Sequence, residues 1–255
     1  TGTGSGKTEC FLYPIISRCL KLRDENADAG IVAVIVYPMN ALAEDQLGRL
    51  RELLTGTGIS FGMYVGKTPE NQADVSGVIL PPGSSRADYQ AKLKQLRDQK
   101  DSKAVHPPEE RTSREEMRTL GKQPRILLTN VKQLELLLTR HRDVELFEKA
   151  RLDFLVFDEA HTFSGAAGAE TACLIRRLRA FCGKDPKDTV CVATSATIAD
   201  PIKGPDAGRA FASRFFGIET TDVSLIGEEY EEETWASTRT PSAPLPGDPV
   251  IQLQT

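Results

Sequence analysis

Short runs of apolar residues alternate with longer amphipathic segments along most of this chain. The runs are rich in β-branched residues, which suits strands buried on both faces of a parallel sheet, and they occupy residues 31–36, 59–65, 125–128, 152–157 and 189–193. The segments between them carry apolar residues at helical spacing, over residues 7–23, 41–54, 131–139, 144–151, 166–181 and 208–216. A final strand is predicted over residues 222–226. This alternation predicts an α/β fold of three layers, in which a parallel sheet is flanked by helices.

A charged segment interrupts the alternation between residues 76 and 122, and we predict that it is an insertion in a domain spanning residues 1–217. Acidic and basic residues are interspersed in it, which favours a solvated charged face over a nucleic-acid contact through its Lys and Arg side chains. Residues 218–255 contain an acidic run and a Pro-rich stretch, and they are predicted to be a linker towards a second domain.

The amino-acid composition narrows the classes of protein to which this chain can belong. The 255 residues are 40% hydrophobic and 27% charged, as is ordinary for a soluble globular protein, and the net charge of −4 means that any nucleic-acid site must be local. The apolar runs are too short to span a bilayer, so no membrane association is expected. The five cysteines form an odd set without a C-x-x-C pair, which favours reduced thiols and a cytoplasmic location.

The first residues of the chain have the composition of a phosphate-binding loop that opens into a helix. Glycines at alternate positions let successive backbone N–H groups turn towards one anion, and the helix adds its positive N-terminal end. Lys7 can reach the β- and γ-phosphates, and the Thr8 hydroxyl can ligate Mg²⁺. The strict pattern begins with Gly, where this chain has Thr, and a Gly-rich linker is the alternative. The predicted nucleotide-binding residues are Thr1, Gly2, Thr3, Gly4, Ser5, Gly6, Lys7 and Thr8. Because such a loop ordinarily follows a buried strand, and no initiating Met is present, we expect a fragment of a longer protein.

Two adjacent carboxylates follow the predicted strand at residues 152–157. Nucleoside triphosphate hydrolysis needs a carboxylate for Mg²⁺ and a group that orients the attacking water, and Asp158 and Glu159 can supply these. A solvated strand end or a helix cap would also explain the pair. His161 follows closely, and because no second His or Cys lies at ligand spacing, a coupling hydrogen bond is favoured over a zinc site.

Several separated motifs, taken together, resemble those of one family. Gly4-Ser5-Gly6-Lys7-Thr8, Asp158-Glu159-Ala160-His161 and Ser195-Ala196-Thr197 are similar to the motor motifs of superfamily 2 helicases of the DEAD/DEAH-box kind. Tyr37-Pro38-Met39-Asn40, Gly66-Lys67-Thr68-Pro69 and Leu128-Thr129-Asn130 resemble that family's nucleic-acid-contact motifs. Their form is closest to RecQ-like and Lhr-like DNA helicases and to large bacterial defence-associated helicases. The resemblance covers residues 1–216.

The resemblance implies a RecA-like first motor domain that uses ATP and Mg²⁺. Lys7 and Thr8 would bind the nucleotide and metal, Asp158 would hold Mg²⁺, and Glu159 would activate water. His161, Ser195 and Thr197 would couple the nucleotide state to the binding of the nucleic-acid strand. Small polar residues at strand ends can bond phosphate oxygens without reading sequence, and those implied near the tracked strand are Asn40, Thr68, Thr129 and Asn130. Each is also a plausible helix cap or turn residue, and for Thr129 and Asn130 the two roles are evenly balanced.

In the family, an adenine-reading segment precedes the phosphate-binding loop, and a second RecA-like domain supplies arginine fingers to the γ-phosphate. Neither is found in these 255 residues, and the second domain is the expected partner. We therefore expect the 255 residues alone to hydrolyse ATP barely or not at all. The leading interpretation is a DNA helicase or translocase. The alternatives are a duplex-tracking remodelling or restriction-type motor, a P-loop ATPase without a nucleic-acid substrate, and a degenerate fold that only binds partners.

Overall fold

The computed structural model describes residues 6–27, 30–195 and 204–226. The central strands are β1 (Ala33–Tyr37), β2 (Phe61–Met63), β5 (Glu110–Arg111), β6 (Ile126–Asn130), β7 (Phe154–Phe157) and β8 (Val190–Ala193), and β3 (Val78–Ile79) and β4 (Val105–His106) form a second small sheet. The α-helices are α1 (Lys7–Asp24), α2 (Asn40–Leu54), α3 (Arg86–Asp98), α4 (Arg114–Arg118), α5 (Val131–Thr139), α6 (Gly165–Phe181) and α7 (Gly204–Phe216). Short 3₁₀ helices span Gln72–Asp74, His141–Phe147, Ala160–Thr162, Pro186–Asp188 and Thr220–Asp222. Within these residues no helix is both long and apolar enough to cross a membrane.

The central sheet has six strands in the order β5-β2-β6-β1-β7-β8, and every pairing is parallel. Ala33 at the start of β1 lies opposite Ile126 on one side and Phe154 on the other. Successive β1 side chains enter different cores: Val34 and Val36 pack with α5, α6 and α7, whereas Ile35 packs with α1 and α2. Helices therefore cover both faces, and the predicted three-layer α/β fold is confirmed.

Two predicted elements are wrong. Residues 144–151 do not continue as an α-helix, because the 3₁₀ helix ends at Phe147 and Lys149 adopts a left-handed φ of 59° that a helix cannot contain. Residues 222–226 are not a strand: the N–H of Val223 bonds to the Thr220 carbonyl at 3.3 Å and closes a turn.

The charged segment 76–122 has its own small core and also contributes to the central sheet. Leu80, Tyr89, Leu96 and Val105 pack together under α3, and a capping box between Ser85 and Asp88 starts that helix. β5, from the same segment, is the edge strand beside β2.

Part of this segment is not the solvated charged face that the sequence favours. Arg51 of α2 donates two hydrogen bonds of 2.7 Å to the carboxylate of Glu110, whose side chain is 4% exposed. His106 Nδ1 lies 3.1 Å from the same carboxylate. Burial would raise the pKa of Glu110, but the bonds to Arg51 and His106 hold it below its ordinary value. The interspersed charges neutralise one another inside the fold here, which periodicity alone does not reveal.

Candidate functional site at the carboxyl edge of the sheet

All strands of the central sheet run in one direction, so their carboxyl ends meet at one edge, where ligands bind in such folds. Helix α1 is oriented by Arg18, whose Nε donates to Asp153 Oδ2 at 2.7 Å, just before β7 begins. The helix therefore starts towards the opposite, carboxyl edge. Lys7 and Thr8 thus begin α1 on the side of the sheet where β7 ends at Asp158.

The start of α1 is built to follow a tight loop. Gly6 has a φ of 73°, a left-handed conformation that side chains rarely adopt, and its carbonyl accepts the N–H groups of Glu9 and Cys10 at 3.1 and 3.3 Å. Thr8 is half-buried in the first turn. The N-terminus of an 18-residue helix at this place suits an anion. Outside the described residues lie Thr1, Gly2, Thr3, Gly4 and Ser5, and the side chain of Lys7 is likewise not described.

The acidic pair lies on a sharp turn after β7. The N–H of Asp158 still bonds to the Val36 carbonyl at 3.0 Å, continuing the β7–β1 ladder. Glu159 then has a φ of 50°, which is uncommon for a residue with a side chain and turns the chain sharply. Both side chains are partly exposed at this edge. A carboxylate held by its backbone at a strand end can face a bound nucleotide.

Thr194 holds this turn, and sequence reasoning missed it. Its hydroxyl donates to Asp158 Oδ1 and accepts the N–H of Glu159 at 3.1 Å. Its main chain adds two bonds, from Thr194 N–H to the Phe157 carbonyl at 3.0 Å and from Ala160 N–H to the Thr194 carbonyl at 2.7 Å. Asp158 Oδ2 keeps no hydrogen bond within the described residues, so it is available to a ligand. The available signal was position, since Thr194 directly follows β8 and directly precedes the predicted Ser195.

His161 connects the acidic pair to the predicted coupling segment. Its Nδ1 lies 3.3 Å from Glu159 Oε2 and 3.4 Å from the Ser195 hydroxyl. Thr197 lies outside the described residues. The structure thus brings together three of the residues that the sequence selected, over two adjacent strands.

Asn40 and Asn130, both predicted to lie near a nucleic-acid strand, contact each other. Asn130 Nδ2 donates to Asn40 Oδ1 at 2.7 Å, and Asn130 Oδ1 accepts the N–H of Gln133 at 2.8 Å, which caps α5. Asn130 therefore has the capping role and still lies at the edge. Asn40 keeps its Nδ2 donor without a partner in the described part of the chain. This amide can donate to an oxygen of a bound ligand.

Thr129 and Thr68, which the resemblance implies near a nucleic-acid strand, have hydroxyls that bond main-chain groups of this chain. Thr129 is fully buried, and its hydroxyl donates to the Tyr64 carbonyl at 2.8 Å. The Thr68 hydroxyl donates to the Met63 carbonyl at 2.8 Å and accepts the Val65 N–H at 2.9 Å. Both hydroxyls thus hold the chain around the end of β2. The residues that face solvent beside them are Gly66 and Lys67.

We expect variants of Asn130 to separate its two roles. Asn130→Ala removes the cap and should lower the free energy of unfolding by about 1 kcal/mol. Asn130→Asp keeps an acceptor for the Gln133 N–H, so its stability should stay close to wild type, while the affinity for the single-stranded nucleic acid that the sequence predicts as a ligand should fall several-fold. The new carboxylate loses the donor to Asn40 and repels phosphate. Denaturant unfolding and fluorescence anisotropy measure the two quantities.

The control for the added charge is Asn26→Asp. Asn26 is exposed and follows the C-terminal end of α1, far along that helix from Lys7. If Asn130→Asp binds single-stranded nucleic acid as tightly as the wild type does, the only role of Asn130 is to cap α5.

The family model described as DEAD/DEAH box helicase matches residues 1–79 and 78–203. The "Druantia protein DruE" of Escherichia coli is 30% identical over 87% of this chain, which covers 16% of that protein. The "Uncharacterized ATP-dependent helicase YprA" of Bacillus subtilis is 30% identical over 79% of this chain, which covers 20% of it.

One solved structure is similar in fold and in sequence. The crystal structure of "DUF1998 helicase MrfA bound to DNA and AMPPNP" matches 86% of this chain and 23% of its own, with a TM-score of 0.51 and 26% identity. The chain therefore spans about a fifth of the length of the relatives that it matches.

The parallel sheet, the helix that begins at Lys7 and the acidic turn after β7 form a RecA-like α/β domain. This chain belongs to the DEAD/DEAH box helicase family, because the family model matches it from residue 1 to residue 203. The resemblance to superfamily 2 helicases that was seen in the separated motifs is thereby confirmed.

Proposed function

We propose that this chain is the first motor domain of a DNA helicase or translocase that couples ATP hydrolysis to movement along a nucleic-acid strand. One observation carries the proposal: the acidic turn and the paired asparagines lie at the same edge, at the ends of the adjacent strands β6, β1 and β7. Groups that could respond to the nucleotide and groups that could bond phosphodiester oxygens are therefore neighbours. The similar MrfA helicase was crystallised bound to DNA, which supports DNA as the substrate.

Within this proposal, Mg²⁺ would be held by the Thr8 hydroxyl and by Asp158. The donor set fits this ion, since Mg²⁺ prefers oxygen ligands and keeps only one or two carboxylates beside the nucleotide phosphates. Across residues 6–27, 30–195 and 204–226, no cluster of three or more His, Cys, Asp or Glu side chains could hold a metal by itself. The bound ion would neutralise charge on the phosphates. Glu159 would accept a proton from the attacking water, and His161 would link Glu159 to Ser195.

We also propose that the motor domain spans residues 1–217 and that residues 218–255 lead to the second RecA-like domain, as the sequence pattern indicates. A cytoplasmic location fits the same picture, because all five cysteines are free thiols.

The proposal is tested by the ATPase rate of the full-length protein containing this chain. The rate is measured without nucleic acid, with single-stranded DNA, and with RNA of the same sequence, at one salt concentration. We expect clear stimulation by DNA and less by RNA. Stimulation by RNA alone would identify RNA as the substrate. A rate that is unchanged by DNA and by RNA would favour a P-loop ATPase without a nucleic-acid substrate.

The duplex-tracking alternative is distinguished by strand separation. A fluorescently labelled duplex with a single-stranded tail should be unwound in an ATP-dependent manner by a strand-tracking motor. ATP-dependent displacement of a protein block from blunt duplex without unwinding would favour the duplex-tracking motor instead.

A further inference from the structure

The turn after β2 is closed on its inner side and open on its outer side. The N–H of Thr68 bonds to the Val65 carbonyl at 3.1 Å, which fixes the four-residue turn. Gly66 and Lys67 form its exposed tip, and the Lys67 side chain is 77% exposed with Glu44 3.8 Å away. A β-carbon at Gly66 would meet nothing within 4 Å, so the space above the tip is open. The tip lies next to β6, because Tyr64 N–H bonds to the Leu128 carbonyl at 2.9 Å.

Arg114, the first residue of α4, bonds directly to this turn. Its Nη2 donates to the Val65 carbonyl at 2.9 Å and to the Gly66 carbonyl at 2.8 Å. The guanidinium carbon lies 5.2 Å from the centre of the Tyr64 ring, and the side chain is only 14% exposed. The backbone N–H of Arg114 also bonds to the Pro69 carbonyl at 2.9 Å. One residue of the charged segment therefore bonds the turn at its beginning and at its end.

Arg118, one turn further along α4, ties the same region to the core. Its Nη2 donates to Glu70, and its Nη1 donates to Asp143 Oδ1 at 3.0 Å. Asp143 is fully buried and also accepts the Tyr64 hydroxyl at 2.7 Å. The bond to Arg118 holds the pKa of Glu70 below its ordinary value, and burial together with Asp143 raises the pKa of Tyr64 to about 12. Charge-assisted bonds of this kind fix geometry more firmly than neutral ones do.

We propose that Arg114 and Arg118 are positioning residues that hold the Gly66–Lys67 tip in the conformation that binds the phosphodiester backbone. The inference rests on the proposed function, and it gives the α4 part of the charged segment a specific role in it. A tip that is already ordered loses little conformational freedom when a strand binds, so pre-organisation appears as affinity. Neither arginine needs to touch the nucleic acid, because both act through the turn.

Two matched carboxylate variants test the idea by the sign of the effect. Removing a negative charge near a phosphate site ordinarily strengthens binding. We expect Glu44→Gln to bind the nucleic acid more tightly, because Glu44 is exposed and lies beside Lys67. Glu70→Gln removes the same charge but also weakens the hold of Arg118, so we expect weaker binding by about threefold, the usual effect of losing a partly exposed ion pair.

A double-mutant cycle tests whether Arg114 acts through the tip. Arg114→Met keeps the length of the side chain and removes the guanidinium, and we expect affinity for a labelled single-stranded oligodeoxynucleotide to fall about tenfold. The control is Arg97→Met, an exposed arginine in α3 of the same segment. If Lys67→Met has already removed the contact, adding Arg114→Met should cost much less than it does alone. Binding of an ATP analogue should be unchanged in every variant.

The outcomes separate the two proposals. If the wild-type full-length protein binds neither DNA nor RNA, the proposed function fails and this inference fails with it. If it binds DNA, and Arg114→Met and Glu70→Gln bind as tightly as their controls, only the positioning role is overturned. The positioning role would also be overturned if Arg114→Met and Glu70→Gln both lost affinity for the ATP analogue. That result would show that α4 stabilises the whole domain rather than the tip.

Discussion

Replacing Glu159 with glutamine is expected to lower nucleic-acid-stimulated ATP hydrolysis by about 10²- to 10⁴-fold, the range that a positioned general base contributes. Glutamine keeps the size of the side chain and can still bond to His161, but it cannot accept a proton from water. The turn itself should persist, since the main-chain N–H of Glu159, which the substitution leaves in place, donates to the Thr194 hydroxyl at 3.1 Å. ATP binding should therefore be retained. Hydrolysis is measured under single-turnover conditions with saturating DNA, and ATP binding by fluorescence of a labelled analogue.

The control for Glu159→Gln is Glu170→Gln, the same chemical change at an exposed position of α6. It should hydrolyse ATP at the wild-type rate. Near-normal hydrolysis in Glu159→Gln would show that another group orients the water, and loss of ATP binding with hydrolysis would show a disturbed site rather than a missing base.

The architecture could be predicted from the sequence because the inner strands β1 and β6 are buried on both faces. β1 is fully apolar in sequence, and its five residues are all buried, so composition and environment agree. The predicted helix over residues 144–151 and the strand over 222–226 failed for a different reason. Short segments are decided by single backbone angles and by available partners, such as the positive φ of Lys149, and periodicity contains neither.

The sequence predicts where the polar residues of the site lie along the sheet, but not which way their side chains point. A polar residue after a strand must lie near the edge, which is why Asp158, Glu159, Asn40 and Asn130 are found there. Position along the chain does not say which way a side chain points. Thr129 points inward and is fully buried, whereas Thr194, one residue before the recognised motif, points at Asp158.

The charged segment shows the same limit on a larger scale. Interspersed acids and bases suggest solvated charge, because each residue alone is costly to bury. Arg118 and Asp143, and Arg51 and Glu110, are buried as pairs whose members lie 25 and 59 positions apart in sequence. Partners at such separations cannot be matched from one sequence, and they decide how the segment is attached.

Thr194→Val is expected to reduce ATP hydrolysis by about 10- to 100-fold, the usual effect of losing a residue that orients a metal-binding or catalytic carboxylate. Valine has nearly the same shape, so the two main-chain bonds of residue 194 should remain. The hydroxyl that donates to Asp158 and accepts the Glu159 N–H is lost, which frees the carboxylate to rotate and leaves that N–H without its acceptor. Because Asp158 is the proposed Mg²⁺ ligand, the Mg²⁺ concentration for half-maximal rate should rise. Thr194→Ser should restore both properties.

Thr189→Val provides the matched control, because it makes the same substitution at the start of the same strand. The Thr189 hydroxyl is buried and has no partner among the described residues, so its removal should leave activity and stability unchanged or slightly improve stability. Equal losses in Thr194→Val and Thr189→Val would indicate general destabilisation of β8. A full rate at low Mg²⁺ in Thr194→Val would show that the main-chain bonds alone hold Asp158. A loss confined to Thr194→Val, with its shifted Mg²⁺ dependence, would establish that a hydroxyl outside the recognised motifs orients the carboxylate within them.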